Sequence, residues 1–197
     1  MTAIQANLPQ GNLRIGYIAL GSNLDTATKT SSEFLEDSLK LLNTTEIRIT
    51  RTSKAYRTPA FPAGNGPDYV NAVVEIETTL AATAVLAALH DIENTLGRAR
   101  PARWASRVID LDLIALGAEV APDAATFDHW LSLPLSAQMK TAPSELILPH
   151  PRLQDRAFVL VPLAEIAPKW RHPVLEETAE ALLAALPAAD RAEINAL

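Results

Sequence analysis

Between Arg14 and Leu116 the hydrophobic period switches from about two to about 3.6 and back, and the order of those switches limits the fold more than any other feature. Arg14 to Leu20 is rich in Ile, Tyr and Leu and stops at Gly21-Ser22-Asn23, the pattern of a strand running into a turn. Thr30-x-x-Glu33 has the form of a capping box, and Leu35, Leu39 and Leu42 follow at helical spacing, which predicts a helix over 30–43. Glu46 to Arg57 reads as one strand rich in Ile, Thr and Tyr. Thr58 to Pro67 holds three prolines and two glycines and is a loop. In the next strand, Asp68 to Thr79, Tyr69, Asn71, Val73, Glu75 and Glu77 share one face, and Val70, Ala72, Val74 and Ile76 the other. Ala82 to Leu96 carries the helical stripe Val85, Leu86, Leu89, Ile92 and Leu96, with Gly97 just past its end. Val108 to Leu116 is a further strand.

Strand, helix, strand, strand, helix, strand predicts an α+β, ferredoxin-like βαββαβ sandwich: an antiparallel sheet with both helices on one face, plus a C-terminal extension. Residues 1–13 read as a disordered leader and 14–197 as a single domain. Within it, 118–145 has mixed composition and no clear period, as an insertion would. Beyond lie an apolar run, Phe158 to Leu163, and an Ala/Leu-rich terminal helix over Glu176 to Leu186. With 48% apolar residues the chain can bury one sizeable core. It has no cysteine, which excludes disulfides, thiolate metal sites and a cysteine nucleophile. Nothing resembles a signal peptide or an apolar run of the roughly eighteen residues a membrane span needs, so a cytoplasmic protein without a membrane partner is expected.

Charge is unevenly placed. The chain carries 17 Lys and Arg against 23 Asp and Glu, a net charge of −6, which argues against a general nucleic-acid binder. Yet Arg98, Arg100, Arg103 and Arg107 fall within ten residues that contain no acid. Guanidinium forks match phosphate or carboxylate oxygens in pairs, so this segment points to an anionic ligand.

Asp110-Leu111-Asp112 comes directly after it. Alternation puts both carboxylates on one face of a strand, roughly 7 Å apart, where they repel unless a cation lies between them. Oxygen ligands alone favour a hard ion such as Mg²⁺, which binds through one or two carboxylates and substrate phosphates. Aspartate is a poor strand former, and two inside an Ile/Leu/Val run mark a local inconsistency of the kind that gathers at functional sites. Carboxylates for Mg²⁺ beside arginines for phosphate are the parts phosphoryl transfer requires. The Gly21-Ser22 turn lies too far from Asp110 for a polymerase-β-type nucleotidyltransferase motif, and it lacks the Gly-Lys-Ser/Thr ending of a Walker loop.

Taken together, Tyr17-Ile-Ala-Leu-Gly-Ser-Asn23, Ser53-Lys-Ala-Tyr-Arg-Thr-Pro59, Pro67-Asp-Tyr-Val-Asn-Ala-Val-Val-Glu-Ile-Glu-Thr78, Ile92-Glu93, Gly97-Arg98-x-Arg100, Arg103-Trp104-x-x-Arg107-x-x-Asp110-Leu-Asp112, Leu148-Pro-His-Pro-Arg152 and Arg156-x-Phe158 through Pro168 resemble the 6-hydroxymethyl-7,8-dihydropterin pyrophosphokinase family of folate biosynthesis. The resemblance implies transfer of the β,γ-pyrophosphoryl group of ATP to the pterin hydroxymethyl oxygen, by in-line attack on the β-phosphorus with release of AMP. It implies two Mg²⁺ ions held by Asp110 and Asp112, and Arg98 and Arg107 as catalytic arginines. His90, Glu93, Arg100, Trp104, His150 and Arg156 fall on the ATP side by the same resemblance. Thr58, Pro59 and Asn71 fall at the pterin edge, and Tyr69 and Phe158 as the aromatics that sandwich its ring. The expected partners are the small molecules ATP and the pterin, with no nucleic acid and no membrane, and a monomer is expected. His129 and His172 read as surface residues.

One departure stands out. The family usually has Arg-Trp-Gly-Pro-Arg where this chain has Arg103-Trp-Ala-Ser-Arg107, which changes the backbone freedom of that segment. A catalytically silent nucleotide- or pterin-binding module is therefore the first rival, separated from the enzyme by AMP formation. A ferredoxin-like RNA-binding domain is the second, and it would need a Gly-Phe-x-Phe strand that is absent here.

Overall fold

The computed structural model describes residues 12–60, 66–97, 107–134, 137 and 141–197. The leader expected over 1–13 thus lies, apart from Asn12 and Leu13, outside the described residues. The central elements are β1 (Arg14–Ser22), α1 (Ser31–Leu42), β2 (Ile47–Thr52), β3 (Tyr56–Thr58), β4 (Tyr69–Thr78), α2 (Ala82–Thr95) and β5 (Asp110–Leu116). Strand order is β5-β1-β4-β3, with β2 also pairing β4, and every pairing is antiparallel. If β2 and β3 are taken as one interrupted strand, this is the ferredoxin-like order.

The strand expected over Glu46 to Arg57 is divided, and Ser53 is the reason. Its hydroxyl accepts the Val73 N–H at 3.0 Å and donates to the Lys54 carbonyl at 2.7 Å, so a side chain interrupts the backbone ladder between β2 and β3. Thr30 and Glu33 form the expected capping box, with the Thr30 N–H donating to the Glu33 carboxylate at 2.7 Å, an arrangement that stabilises a helix start by about 1 kcal/mol.

Helices α1 and α2 lie on one face of the sheet. Leu35, Leu42, Val85 and Leu89 pack there on Ile18, Leu20, Val74, Ile76, Leu111 and Leu113. A fully buried side chain of this size contributes about 1.5–3 kcal/mol. The opposite face is also covered. The C-terminal extension supplies α4 (Ala157–Ile166) and α5 (Ala179–Ala185), whose Val159, Leu160, Leu163 and Leu182 pack with Tyr17, Val73 and Ile114. The apolar run from Phe158 is therefore the body of a helix buried against the sheet. The terminal helix expected from Glu176 starts later, because Glu176 has φ 56° and Thr178 caps the helix by accepting the Ala181 N–H. A short α6 (Ala188–Ala192) leads to β6 (Asn195–Ala196), which pairs with β3 at the sheet edge.

Residues 118–145 are not without period throughout. Asp123 caps α3 (Ala124–Ser132), whose Phe127 is fully buried beside His172 with ring centroids 5.8 Å apart. This corrects the expectation of a surface His172: it is fully buried, and its Nδ1 accepts the Val174 and Leu175 N–H groups. The packing of Phe127 of α3 and of Trp170 against its ring helps make that position internal, and the contact with α3 is not visible in local sequence.

Candidate active site

The site is built on the α4 side of the sheet, at the ends of β1, β4 and β5. Ile109, Leu111 and Leu113 face α1 and α2, so alternation turns Asp110 and Asp112 to the other face. Alternation carries the same face on to Ile114, so the strand is acidic at its start and apolar on that side at its end. Ile18 pairs with Leu113 but Tyr17 with Ala115, and this bulge turns Ala115 into the second core as well. His150 extends this edge, its N–H donating to the Ile114 carbonyl at 2.8 Å.

Register lines up a row across the sheet: Asp110, Gly21, Asn71, Tyr56. Asp110 accepts a hydrogen bond from the Arg107 guanidinium at 2.5 Å. On the other side of the row's Gly21, Asn71, buried, donates from Nδ2 to the buried Thr58 hydroxyl at 2.7 Å. Between them Gly21 leaves room: a Cβ there would stand 2.8 Å from Asn71 Oδ1 and 3.7 Å from Tyr69 Cδ1. Tyr69 and Asn71 share this face, as expected from alternation. Thr58 and the exposed Pro59 also line a cleft of about 230 Å³ with Arg57, Asp68, Glu193 and Asn195.

The cationic side is equally ordered. Arg156 stands over the Phe158 ring, its Cζ 5.6 Å from the centroid. Burial pulls the Arg156 pKa below its ordinary value, opposed by the charges of Asp112 and Asp110. His150 is pushed down to about 3, first by burial and then by the Arg156 charge. Its Nδ1 accepts the Arg152 N–H at 3.1 Å, so the neutral ring carries its proton on Nε2. The residues around Asp110 and Asp112 thus offer cationic and N–H donors suited to phosphate oxygens.

His90 and Glu93, one helical turn apart, are not brought together. His90 is exposed, whereas Glu93 is buried and accepts the Leu111 N–H at 2.8 Å from beneath β5. Glu93 therefore braces the peptide between the two aspartates. Arg98, Arg100 and Trp104 lie outside the described residues. Asn23 belongs to the first family-like segment but has no role assigned by sequence, although it is buried and bonded to both Arg107 and Pro67.

The donor set suits a hard ion only in part. Among the described residues no group of three or more His, Asp or Glu could hold a metal. Two carboxylates on one strand face fit Mg²⁺ that completes its shell with phosphate oxygens and water. Among the described residues, too, no helix is long and apolar enough to cross a membrane.

A ferredoxin-like sheet whose edge strand presents paired carboxylates beside arginines has the makings of a phosphotransfer enzyme. The family model of 7,8-dihydro-6-hydroxymethylpterin-pyrophosphokinase (HPPK) matches residues 17–168, and the chain belongs to that family: it is an ATP-dependent pyrophosphokinase of folate biosynthesis. The 2-amino-4-hydroxy-6-hydroxymethyldihydropteridine pyrophosphokinase of Haemophilus influenzae is 36% identical over 151 residues, covering 77% of this chain and 80% of its own. Its counterpart in Pseudomonas aeruginosa is 35% identical over 171 residues, 87% of this chain and 91% of its own. Among solved structures, wild-type Plasmodium falciparum HPPK-DHPS with pteroate superposes with a TM-score of 0.64 at 16% identity, over 89% of this chain and 42% of that one. The A437G form with pteroate gives 0.62 at 15% identity over 93% of this chain, which spans 44% of the solved chain. At that identity the likeness is one of fold.

Proposed function

We propose that the chain transfers the β,γ-pyrophosphoryl group of ATP to the hydroxymethyl oxygen of 6-hydroxymethyl-7,8-dihydropterin. The oxygen attacks the β-phosphorus and loses its proton as the new P–O bond forms. The bond from the β-phosphorus to the bridging oxygen breaks, and AMP leaves with that oxygen. One observation carries the reading: the row Asp110, Gly21, Asn71 sets a phosphate-handling end and a polar, aromatic-flanked end on one sheet face.

Each residue then has a part. Arg107, Arg156 and His150 Nε2–H face the triphosphate as donors, and by resemblance Arg98, Arg100 and Trp104 join them. Asp110 and Asp112 would hold Mg²⁺ together with phosphate oxygens, two ions by the resemblance, and the metal would supply neutralisation of charge at the bridging and β-oxygens. Tyr69 and Phe158 take the flat pterin between them, and Asn71, Thr58 and Pro59 meet its polar edge. Glu93 acts from below by holding Leu111, and by resemblance the exposed His90 meets ATP. The reading keeps the protein a cytoplasmic monomer. The test is AMP release from ATP and Mg²⁺ with and without the pterin. Pterin-dependent AMP without ADP is expected; both ligands bound and no AMP formed would leave a binding module.

A further inference from the structure

We propose that Asn23 is a positioning residue that ties the pterin end of the site to its phosphate end through one carboxamide. The inference rests on the pyrophosphokinase reading for its kinetic consequences. Its structural basis stands apart from that reading. Asn23 comes directly after the last residue of β1, which runs through the Gly21-Ser22 pair that residue order alone reads as a turn, and it is 3% exposed. Its Oδ1 accepts the Arg107 N–H at 2.8 Å, and its own N–H donates to the Arg107 carbonyl at 3.1 Å. The two bonds clamp residue 107 from both sides of its peptide. From the same carboxamide, Nδ2 donates to the Pro67 carbonyl at 3.2 Å.

Both tethered positions lie just upstream of site residues. Pro67 stands two residues before Tyr69, and Arg107 three residues before Asp110, to which its guanidinium is bonded. Two backbone segments that leave different ends of the sheet row are thus held to one rigid group on the strand between them. A carboxamide suits this task because it donates from one atom and accepts at the other. Aspartate keeps the acceptor and loses the donor; alanine loses both. Displacement of reacting groups by about 1 Å can cost about a hundredfold in rate, so a tether of this kind affects catalysis without touching substrate.

The experiment compares wild type, Asn23→Ala and Asn23→Asp by steady-state AMP release and by NMR exchange of the Arg107 amide. In Asn23→Ala, kcat falls about a hundredfold and the pterin KM also rises. In Asn23→Asp, whose oxygen faces the Pro67 carbonyl, the pterin KM rises about tenfold while kcat stays within about threefold. Exchange at Arg107 accelerates about a hundredfold in the alanine variant, and stays near wild type in the aspartate variant. Both kinetic constants of Asn23→Ala within about twofold of wild type would overturn the proposal, as would equal losses in the two variants. If Asn23→Ala does not fold, an unchanged pterin KM in Asn23→Asp overturns it. Wild type that makes no pterin-dependent AMP would instead sink the pyrophosphokinase reading, and the exchange result would still decide whether Asn23 holds Arg107.

Discussion

The Arg107 guanidinium donates to the Asp110 carboxylate at 2.5 Å, three residues along the chain, so a cation suited to phosphate and a carboxylate suited to metal neutralise each other. The Asp110 charge supports the protonated guanidinium against the opposing effect of burial. On the proposed reading, Mg²⁺ and ATP break or share this contact when they bind. On that reading the pair holds two groups of opposite duty in place until ligands replace each partner.

Arg107→Ala accordingly shifts two measurements in opposite directions. Turnover falls by about a hundredfold or more, since a preorganised donor is lost. Affinity for Mn²⁺, used as a spectroscopic stand-in for Mg²⁺, rises in the absence of nucleotide because Asp110 loses the Arg107 cation. Pterin affinity, measured by calorimetry with a non-hydrolysable ATP analogue, changes far less than kcat. An equal loss in kcat and pterin binding would make Arg107 a ground-state binding residue.

Asp112→Ala abolishes AMP formation and leaves the fold nearly intact. Asp112 is half-exposed on the site face, where its removal opens no core cavity. Its loss also leaves Arg156 with one fewer opposing charge. A melting temperature within a few degrees of wild type, together with no detectable turnover, is the expected pair of results. Substantial activity would remove Asp112 from the metal-binding set.

Much of the site is legible in residue order, for identifiable reasons. The faces of β4 and β5 come from strict alternation, which by itself pairs Tyr69 with Asn71 and Asp110 with Asp112. The capping box at Thr30 is local and equally readable. Long-range packing is not. Glu93 looks like a helix-flank charge until β5 is laid over it and the Leu111 N–H finds its carboxylate. His172 looks exposed until α3 brings Phe127 against it. The break at Ser53 depends on which strand lies opposite, and the cover of the second sheet face on where an apolar run docks.

Stability falls on mild acidification, through buried histidine. Burial holds His172 near 4, and His150 near 3, both below the ordinary value of 6.5. The unfolded chain therefore takes up protons that the native state refuses. Their stabilising contribution is complete above about pH 6.5 and is lost as pH falls toward the folded values, at about 1.4 kcal/mol per pH unit for each group. His172→Asn keeps an acceptor for the Val174 and Leu175 N–H groups but cannot titrate. Urea unfolding between pH 7 and 4.5 is expected to show a shallower pH slope in that variant, with His150 supplying the remainder. An unchanged slope would mean that His172 takes up its proton as readily in the native state as in the unfolded chain.

Gly21→Ala separates pterin recognition from phosphate chemistry. The added Cβ would stand 2.8 Å from Asn71 Oδ1, closer than a methyl group tolerates, while the next contact, with Tyr69, is an ordinary 3.7 Å. The obstructing atom is the end of a side chain, so the backbone keeps its place and Asn71 yields. Moving Asn71 strains its bond to Thr58 and carries its carboxamide away from the proposed pterin edge. Asp110, on the far side of Gly21 in the row, keeps its bond to Arg107, whose backbone is held by Asn23. The pterin KM is therefore expected to rise by about tenfold or more, with the ATP KM within about twofold and a small loss in melting temperature. Adding Asn71→Ala to Gly21→Ala removes the clash together with the recognising group. The double variant should then match Asn71→Ala alone in pterin KM, because the methyl has nothing left to displace. Additive losses would show that the methyl obstructs the pterin itself.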